Sequence, residues 1–478
     1  MRISLPLLMS ALVRGFAPPS VVFRAIERGE ALAAADDAMD VDAPVAPQKK
    51  AKKAKTKKRR AAPKAQPRRG SAANVYWRAI PMRAVRAHPL YRSLPPQREV
   101  VARGASSNAP KLAVAAALEQ DTWRWDALHA GRLTGARVAA ACGLLEADAA
   151  LKLRVPRSLS GHGRAIAAAQ HLRHRVDAES VVETVFSEGD YDDEKLGDAS
   201  CWAPGRGVYP VDYVGGLDGT ARAFRDPSSA RMAWGKTQEG VGVLAAVNFI
   251  DARHRGACVV AETGMLPGEH ADAAIAELLE AAWLPPGGAG VACLEALRFR
   301  LAEAAKRPPP RAATAVPIGA SPDGVVVYGD GSLDVLEVKS VAPFSRATGA
   351  VSMELRDRGP HDALATWHVP QLMLEIHAAG SLCGGAVVAS VSATRGACFL
   401  RVPRDDAYIR AMLDLLDAFY ERFCGGGDVD PPACFNADLP GFDDFVDRTN
   451  AIAANATLLG RTDGVQRARC DDRGFFLA

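Results

Sequence analysis

The chain has 478 residues, of which 48% are hydrophobic and 24% charged, and its formal net charge is +4. That length and apolar content allow one large folded domain with extensions, and exclude both a disulfide-stapled miniature and a wholly disordered chain. Nine cysteines with no C-x-x-C pair exclude a readable zinc framework and fit reduced thiols in an intracellular protein.

Residues 1–16, MRISLPLLMSALVRGF, read as an ordinary N-terminus or as a weak organellar targeting peptide, for a mitochondrion or plastid. Pro6 and Arg14 interrupt the stretch, and no apolar run of about 18 residues follows, so no membrane span is expected. Residues 1–73 are expected to form a disordered tail, because 34–73 are rich in Ala, Pro, Lys and Arg and carry no aromatic residue. Within it, 49–69 hold 12 basic residues and no acidic one. Taking those 12 from the 59 Lys and Arg leaves 47 against 55 Asp and Glu, a net of −8 for the rest. The positive charge thus resides in the tail. It reads as a nuclear localisation signal, which makes the nucleus the expected compartment, or as an arm for polyanions.

Residues 74–119 read as a linker and N-terminal helix region, with a helix over 111–118, and further helices are expected at 134–144 and 158–175. His171 and His174 lie one turn apart on the last of these, but nothing is placed to complete a metal site. The segment ARMAWGKTQEGVGVLAAVNFI (230–250) is a helix whose apolar stripe, Gly235, Val243, Ala246 and Ile250, includes Glu239. A carboxylate within the stripe is the informative case; at its edge it would simply reach water. A strand near Cys258–Thr263 and helices at 268–284 and 293–305 follow.

Residues 318–339 read IGASPDGVVVYGDGSLDVLEVK. Asp330-Gly331 signals a two-residue hairpin between a Val-rich strand (Val325 to Tyr328) and a second strand (Leu333 to Val341). Alternation puts Leu333, Val335, Glu337, Lys339 and Val341 on one face, and Asp334, Leu336, Val338 and Ser340 on the other. Both faces are largely apolar, so the strand is expected to lie inside a sheet. Glu337 and Lys339 would then be buried charges, costly unless matched. A divalent cation between Asp323 and Glu337, with Lys339 beside them, resolves that cost. Taken singly, Ser-Pro-Asp-Gly is a common turn and Glu-x-Lys a common solvated strand; the joint pattern is what points to a site. Downstream, WHVPQLMLEIHAAG (367–380) is a helix opening near Pro370 with Gln371 in its first turn, a strand pair spans 385–402 and a closing helix spans 405–423. Residues 425–478 are expected to be an irregular extension whose Phe435, Phe442 and Phe445 pack against the domain. Helix, three strands, helix, strand is an α/β class with a mixed sheet flanked by helices.

Five segments, WDALHAGRLTGAR (125–137), WGKTQE (234–239), SPDG (321–324), LEVK (336–339) and PQLMLEI (370–376), occur in the order found in the lambda-exonuclease-like, YqaJ-type viral recombinase branch of the PD-(D/E)XK nuclease superfamily. The chain resembles that family over roughly residues 120–424, and herpesvirus alkaline nucleases belong to the same broad group. The resemblance implies a restriction-endonuclease-like core over 120–424 and a Mg²⁺- or Mn²⁺-dependent deoxyribonuclease, an exonuclease of recombination, repair or viral genome processing. It implies that Asp323, Glu337 and the Val338 carbonyl ligate the metal and that Glu239 completes its shell. Lys339 would orient and help deprotonate the attacking water, Gln371 would position the water or Lys339, and Ser321 would lie near the DNA backbone. It also allows a homo-oligomer or a recombinase or annealing partner. The family's first motif has Arg-x-Gly-x-Leu/Ile-Thr-Ala-Ser, whose arginine and serine grip a 5′-phosphate; here His129 and Ala136 stand in those places. Thr134, as N-cap of the following helix, and Arg132 or Arg137, as cation, are the substitutes available for phosphate binding. Endonuclease or RNA-cutting activity remains open on that ground. The rival of another class is a silent DNA-binding protein that relies on its basic tail.

Overall fold

One mixed sheet organises the chain. The computed structural model describes residues 82–173, 178–186, 227–284, 288–306, 314–342, 344–346, 353–355, 358–392, 395–426 and 429–463. All of them fall within one compact unit, Gln66–Ala478. The expected tail 1–73, its basic run 49–69, the 1–16 segment and His174 lie outside the described residues. No described helix is long and apolar enough to cross a membrane.

Seven strands form the sheet, and their order in space is their order in the chain. They are β1 (Tyr91–Arg92), β2 (Cys258–Ala261), β3 (Gly324–Tyr328), β4 (Leu333–Val341), β5 (Cys383–Ser392), β6 (Ala397–Pro403) and β7 (Thr457–Thr462). β1 and β2 run parallel, as do β4 and β5, and the other neighbours are antiparallel. A parallel pair needs a crossover. For β4 and β5 the helix Val369–Ala378 supplies it. The helices that matter for the site are α1 (Trp123–Leu128), α2 (Gly135–Ala141), α3 (Gly163–Arg173), α4 (Pro227–His254), α5 (Ala271–Leu278), α6 (Val291–Ala304), α7 (Val369–Ala378), α8 (Asp406–Phe423) and α9 (Phe442–Ala454).

The sheet separates two apolar layers, each drawn from alternate strand residues. On one face Val326, Leu336, Val387, Ala389 and Phe399 pack against Val243, Leu244, Ala246, Val247 and Ile250 of α4. On the other, Val325, Val327, Leu333, Val335, Ala386 and Val388 join a larger core with Leu372, Met373 and Ile376 of α7 and with α2, α3, α5, α6 and α8. Each fully buried Val or Leu contributes about 1.5–3 kcal/mol, so these layers are the main support of the fold. β4 lies inside the sheet, as its two-sided apolar pattern predicts.

The sequence-based expectations need correction in three places. Four residues, 329–332, join β3 to β4 instead of two. A type I′ turn requires positive φ at both central residues. Gly331 has φ 75°, but Asp330 is not among the positive-φ residues. Asp330 instead accepts hydrogen bonds from the N–H and hydroxyl of Ser332, which suits the longer turn. The boundaries 120–424 are also too narrow, because β1 pairs with β2 on one edge and β7 pairs with β6 on the other. Finally, the described part of 425–478 includes two regular elements, α9 and β7, that the sequence reading did not foresee. Phe435, Phe442 and Phe445 are buried against the core as expected.

Candidate active site

The hairpin delivers Asp323 to β4. Gly324 pairs with Leu336, so Asp323 arrives opposite Glu337. Its Oδ2 accepts from the Val338 N–H at 2.6 Å. The Tyr328 N–H donates to the Ser332 carbonyl, which sets the bonded parity of the ladder. The bonded pairs therefore fall at 326 with 334 and at 324 with 336, and the next would be Pro322 with Val338. Proline has no N–H to give. Asp323 takes the Val338 N–H in its place, and the Val338 carbonyl, on the same edge, gets no donor from Pro322.

Glu337 and Lys339 point to the α7 face. Lys339 Nζ donates to Glu337 Oε1 at 2.5 Å and to Gln371 Oε1 at 3.2 Å. Gln371 Nε2 donates to Glu337 Oε1 at 2.7 Å and to Glu375 Oε1 at 2.8 Å. Glu239 comes from α4, across the sheet. Its helix lies so close to β4 that a Cβ at Gly242 would meet Val338 Cγ1 at 2.1 Å. Lys236, one turn earlier, pairs with Glu239 at 2.9 Å and with Asp121. The structure thus brings Asp323, Glu337, Val338, Lys339 and Gln371 together, with Glu239 within electrostatic reach.

Burial pushes the Asp323 carboxyl well above the usual carboxylate range; Glu337 and then Glu239 push it further, against the Val338 N–H and Lys339. Burial also raises Glu239, with Lys236 opposing. For Lys339, burial pulls the ammonium down, but Glu337, Glu375 and Asp323 outweigh it and hold it above its ordinary value. Asp334 on the same strand offers a contrast. Arg401 at 2.9 and 3.1 Å and the Tyr328 hydroxyl at 3.1 Å satisfy its buried carboxylate, so it is a structural charge.

No family model, curated protein or solved structure matches this chain.

The phosphate-binding candidates divide. Arg132 is 5% exposed and is bound to Glu269 and to the Ile318 carbonyl, so it is a structural cation and not a free phosphate grip. Arg137 is half-buried, and burial alone lowers its pKa. It donates to Thr134 Oγ1 at 3.4 Å. Thr134 is the N-cap of α2 by backbone position, but its side chain makes no capping bond. His129 donates from Nδ1 to the Trp125 carbonyl at 2.7 Å, which leaves Nε2 as an acceptor for the Ser321 hydroxyl at 3.4 Å. Burial lowers its pKa and favours this neutral form. Ala136, at the family's serine position, is exposed.

Three participants were not singled out in the sequence. Glu375 is 2% exposed, one turn beyond Gln371; a carboxylate inside the apolar run LMLEI was the available signal. Lys236 and Asp121 are brought to Glu239 by the fold, and no local pattern announces that pairing.

The donor set fits a hard divalent cation. Half-buried Asp323 and buried Glu337 are neighbouring carboxylates whose mutual repulsion Lys339 only partly offsets. Among the described residues no three His, Cys, Asp or Glu side chains stand as a ready cluster. The available donors are two carboxylates and a carbonyl, and Mg²⁺ is commonly held by one or two carboxylates with water completing its shell.

Proposed function

We propose that this chain is a divalent-metal-dependent deoxyribonuclease with a PD-(D/E)XK core, akin to the lambda-exonuclease-like branch, that removes nucleotides from DNA ends. One observation carries the reading. Asp323, Glu337, Lys339 and Gln371 converge where β3 meets β4, on a helix–three strands–helix–strand unit (α4, β2, β3, β4, α7, β5) whose last two strands are parallel. The restriction-endonuclease-like core has that order of elements.

Asp323, Glu337 and the Val338 carbonyl would hold Mg²⁺ or Mn²⁺, with Glu239 in the outer shell. When bound, the ion lowers the pKa of its water and neutralises charge on the phosphodiester. Lys339, held as an ammonium, would orient the attacking water and offset phosphate charge; the water's proton would pass to solvent, and the leaving oxygen would be protonated from solvent. Gln371 bridges Lys339 and Glu337 and so fixes the direction of the lysine's remaining hydrogens. Arg137 and Ser321 are the groups offered to the DNA backbone, with neutral His129 orienting the Ser321 hydroxyl. The attack is in line, and the phosphodiester's leaving oxygen departs opposite the water.

The test is release of acid-soluble nucleotides from linear duplex DNA by the full chain with Mg²⁺, with EDTA, and with Asp323→Asn. Release that needs the metal and falls about 10²- to 10⁴-fold in the variant is expected. DNA retained without hydrolysis in Mg²⁺ or Mn²⁺ would replace this reading with a binding protein that works through residues 49–69.

A further inference from the structure

Glu375 is an anomaly on its helix. Its neighbours Leu372, Met373, Leu374 and Ile376 are buried apolar residues, as an inward helix face demands. Its Oε1 accepts from Gln371 Nε2 at 2.8 Å, yet its buried Oε2 has no hydrogen-bond partner. A buried carboxylate oxygen left unmatched destabilises a fold. A role in stability alone would therefore be better filled by an apolar side chain.

The Gln371 amide shows what the carboxylate does. Both Nε2 hydrogens are taken, one by Glu337 and one by Glu375, while Oε1 accepts from Lys339. The reversed amide would set N–H groups against an ammonium and a carbonyl against two carboxylates, so the partners fix its sense. On its other side the Gln371 stem abuts α2. A Cβ at Gly135 would lie 2.8 Å from Gln371 Cγ and 3.6 Å from Glu375 Oε1. The stem is thus confined from one side and the amide is held from the other.

We propose that Glu375 is a positioning residue, which acts through Gln371 to aim the amide carbonyl at Lys339. This rests on the nuclease reading above. It extends the site by a buried side chain that touches neither substrate nor metal.

The experiment compares Glu375→Met, Glu375→Gln, Gln371→Ala and the Glu375→Met/Gln371→Ala double variant in the full chain. Mg²⁺-dependent hydrolysis of linear duplex DNA is measured beside thermal melts and the side-chain amide ¹⁵N–¹H spectrum. Glu375→Met should lower kcat about 10-fold or more, with KM within about twofold and no fall in Tm. Glu375→Gln keeps an acceptor for Gln371 and should restore most of kcat. The double variant should be no slower than Gln371→Ala, because both act through one amide. The Gln371 amide protons should shift in Glu375→Met and stay near their wild-type positions in Glu375→Gln. Wild-type kcat in Glu375→Met, additive losses in the double variant, or unmoved Gln371 amide signals would each overturn the proposal. If the wild-type protein itself hydrolyses nothing, the nuclease reading fails, and the amide signals still decide whether Glu375 holds Gln371.

Discussion

Two arginines five residues apart have different work. Arg132 lies inside the protein against Glu269, whereas Arg137 reaches Thr134 at the start of α2. Arg132 is buried but its partner Glu269 is exposed, so Arg132→Ala leaves no buried charge unpaired; loss of the packed side chain should lower stability on the order of 1 kcal/mol, read in denaturant or thermal melts. Arg137→Ala should leave the melt unchanged, raise KM for DNA and reduce the salt dependence of binding by about one phosphate contact. An unaltered KM and salt slope would remove Arg137 from the DNA path. Spacing alone did not distinguish the two, because which arginine is neutralised depends on Glu269, 137 positions away. Asp323, Glu337 and Lys339 were legible because a short hairpin brings them together and strand alternation puts Glu337 and Lys339 on one face. Glu375 was legible in principle, as a charge in an apolar helical run, but its role emerges only with its partner Gln371 in view.

Among the elements, the closest packing in the site region is that of α4 on β4. With a Cβ at Gly242 only 2.1 Å from Val338 Cγ1, Gly242→Ala must displace the helix or the strand. Overpacking of this kind costs about 1–3 kcal/mol. Glu239 lies on the same helix one turn away, so activity should fall together with stability. Truncating the opposing residue should relieve both: Gly242→Ala/Val338→Ala is expected to melt higher than Gly242→Ala alone. Failure of that rescue would show that the tight contact does not set the helix position. Patterning predicted α4, the β3–β4 hairpin, α7 and β5, since each carries a clear helical or strand period. It missed α9 and β7. β7 is an edge strand whose residues are mostly half-buried or exposed, so it has little apolar alternation to read. The turn between β3 and β4 is longer than Asp-Gly suggested because the backbone at Asp330 keeps negative φ and lets the side chain bond Ser332.

At the scale of the molecule, the acidic cluster at the site costs stability at neutral pH. Asp323, Glu239 and Glu375 all have folded pKa values raised first of all by burial. Such groups contribute most below the ordinary carboxylate pKa of about 4, and that contribution is lost as pH rises through the raised folded values. Metal-free protein should therefore lose stability from this cluster between acid and neutral pH. Mg²⁺ or Mn²⁺ should raise Tm at about pH 7.5, and the gain should shrink near pH 5, where protons compete for the same oxygens. A melt unmoved by either ion at neutral pH would contradict the metal assignment. The charge distribution makes a separate prediction. Removing residues 1–73 takes away the 12 basic residues of 49–69 and should weaken DNA binding and flatten its salt dependence, while turnover at saturating DNA persists. Loss of hydrolysis with the tail would mean that it does more than hold the polyanion.

Hydrolysis by the β3–β4 site stands or falls with Lys339→Ala. Wild-type and variant chains would be given Mg²⁺, linear duplex DNA with and without a 5′-phosphate, and a closed circular plasmid, with binding measured in parallel. Nucleotide loss from linear ends, an intact circle, and a fall of about 10²- to 10⁴-fold in the variant with binding preserved are expected. Nicking of the circle would point to an endonuclease, and equal hydrolysis by wild type and Lys339→Ala would rule out catalysis by this site.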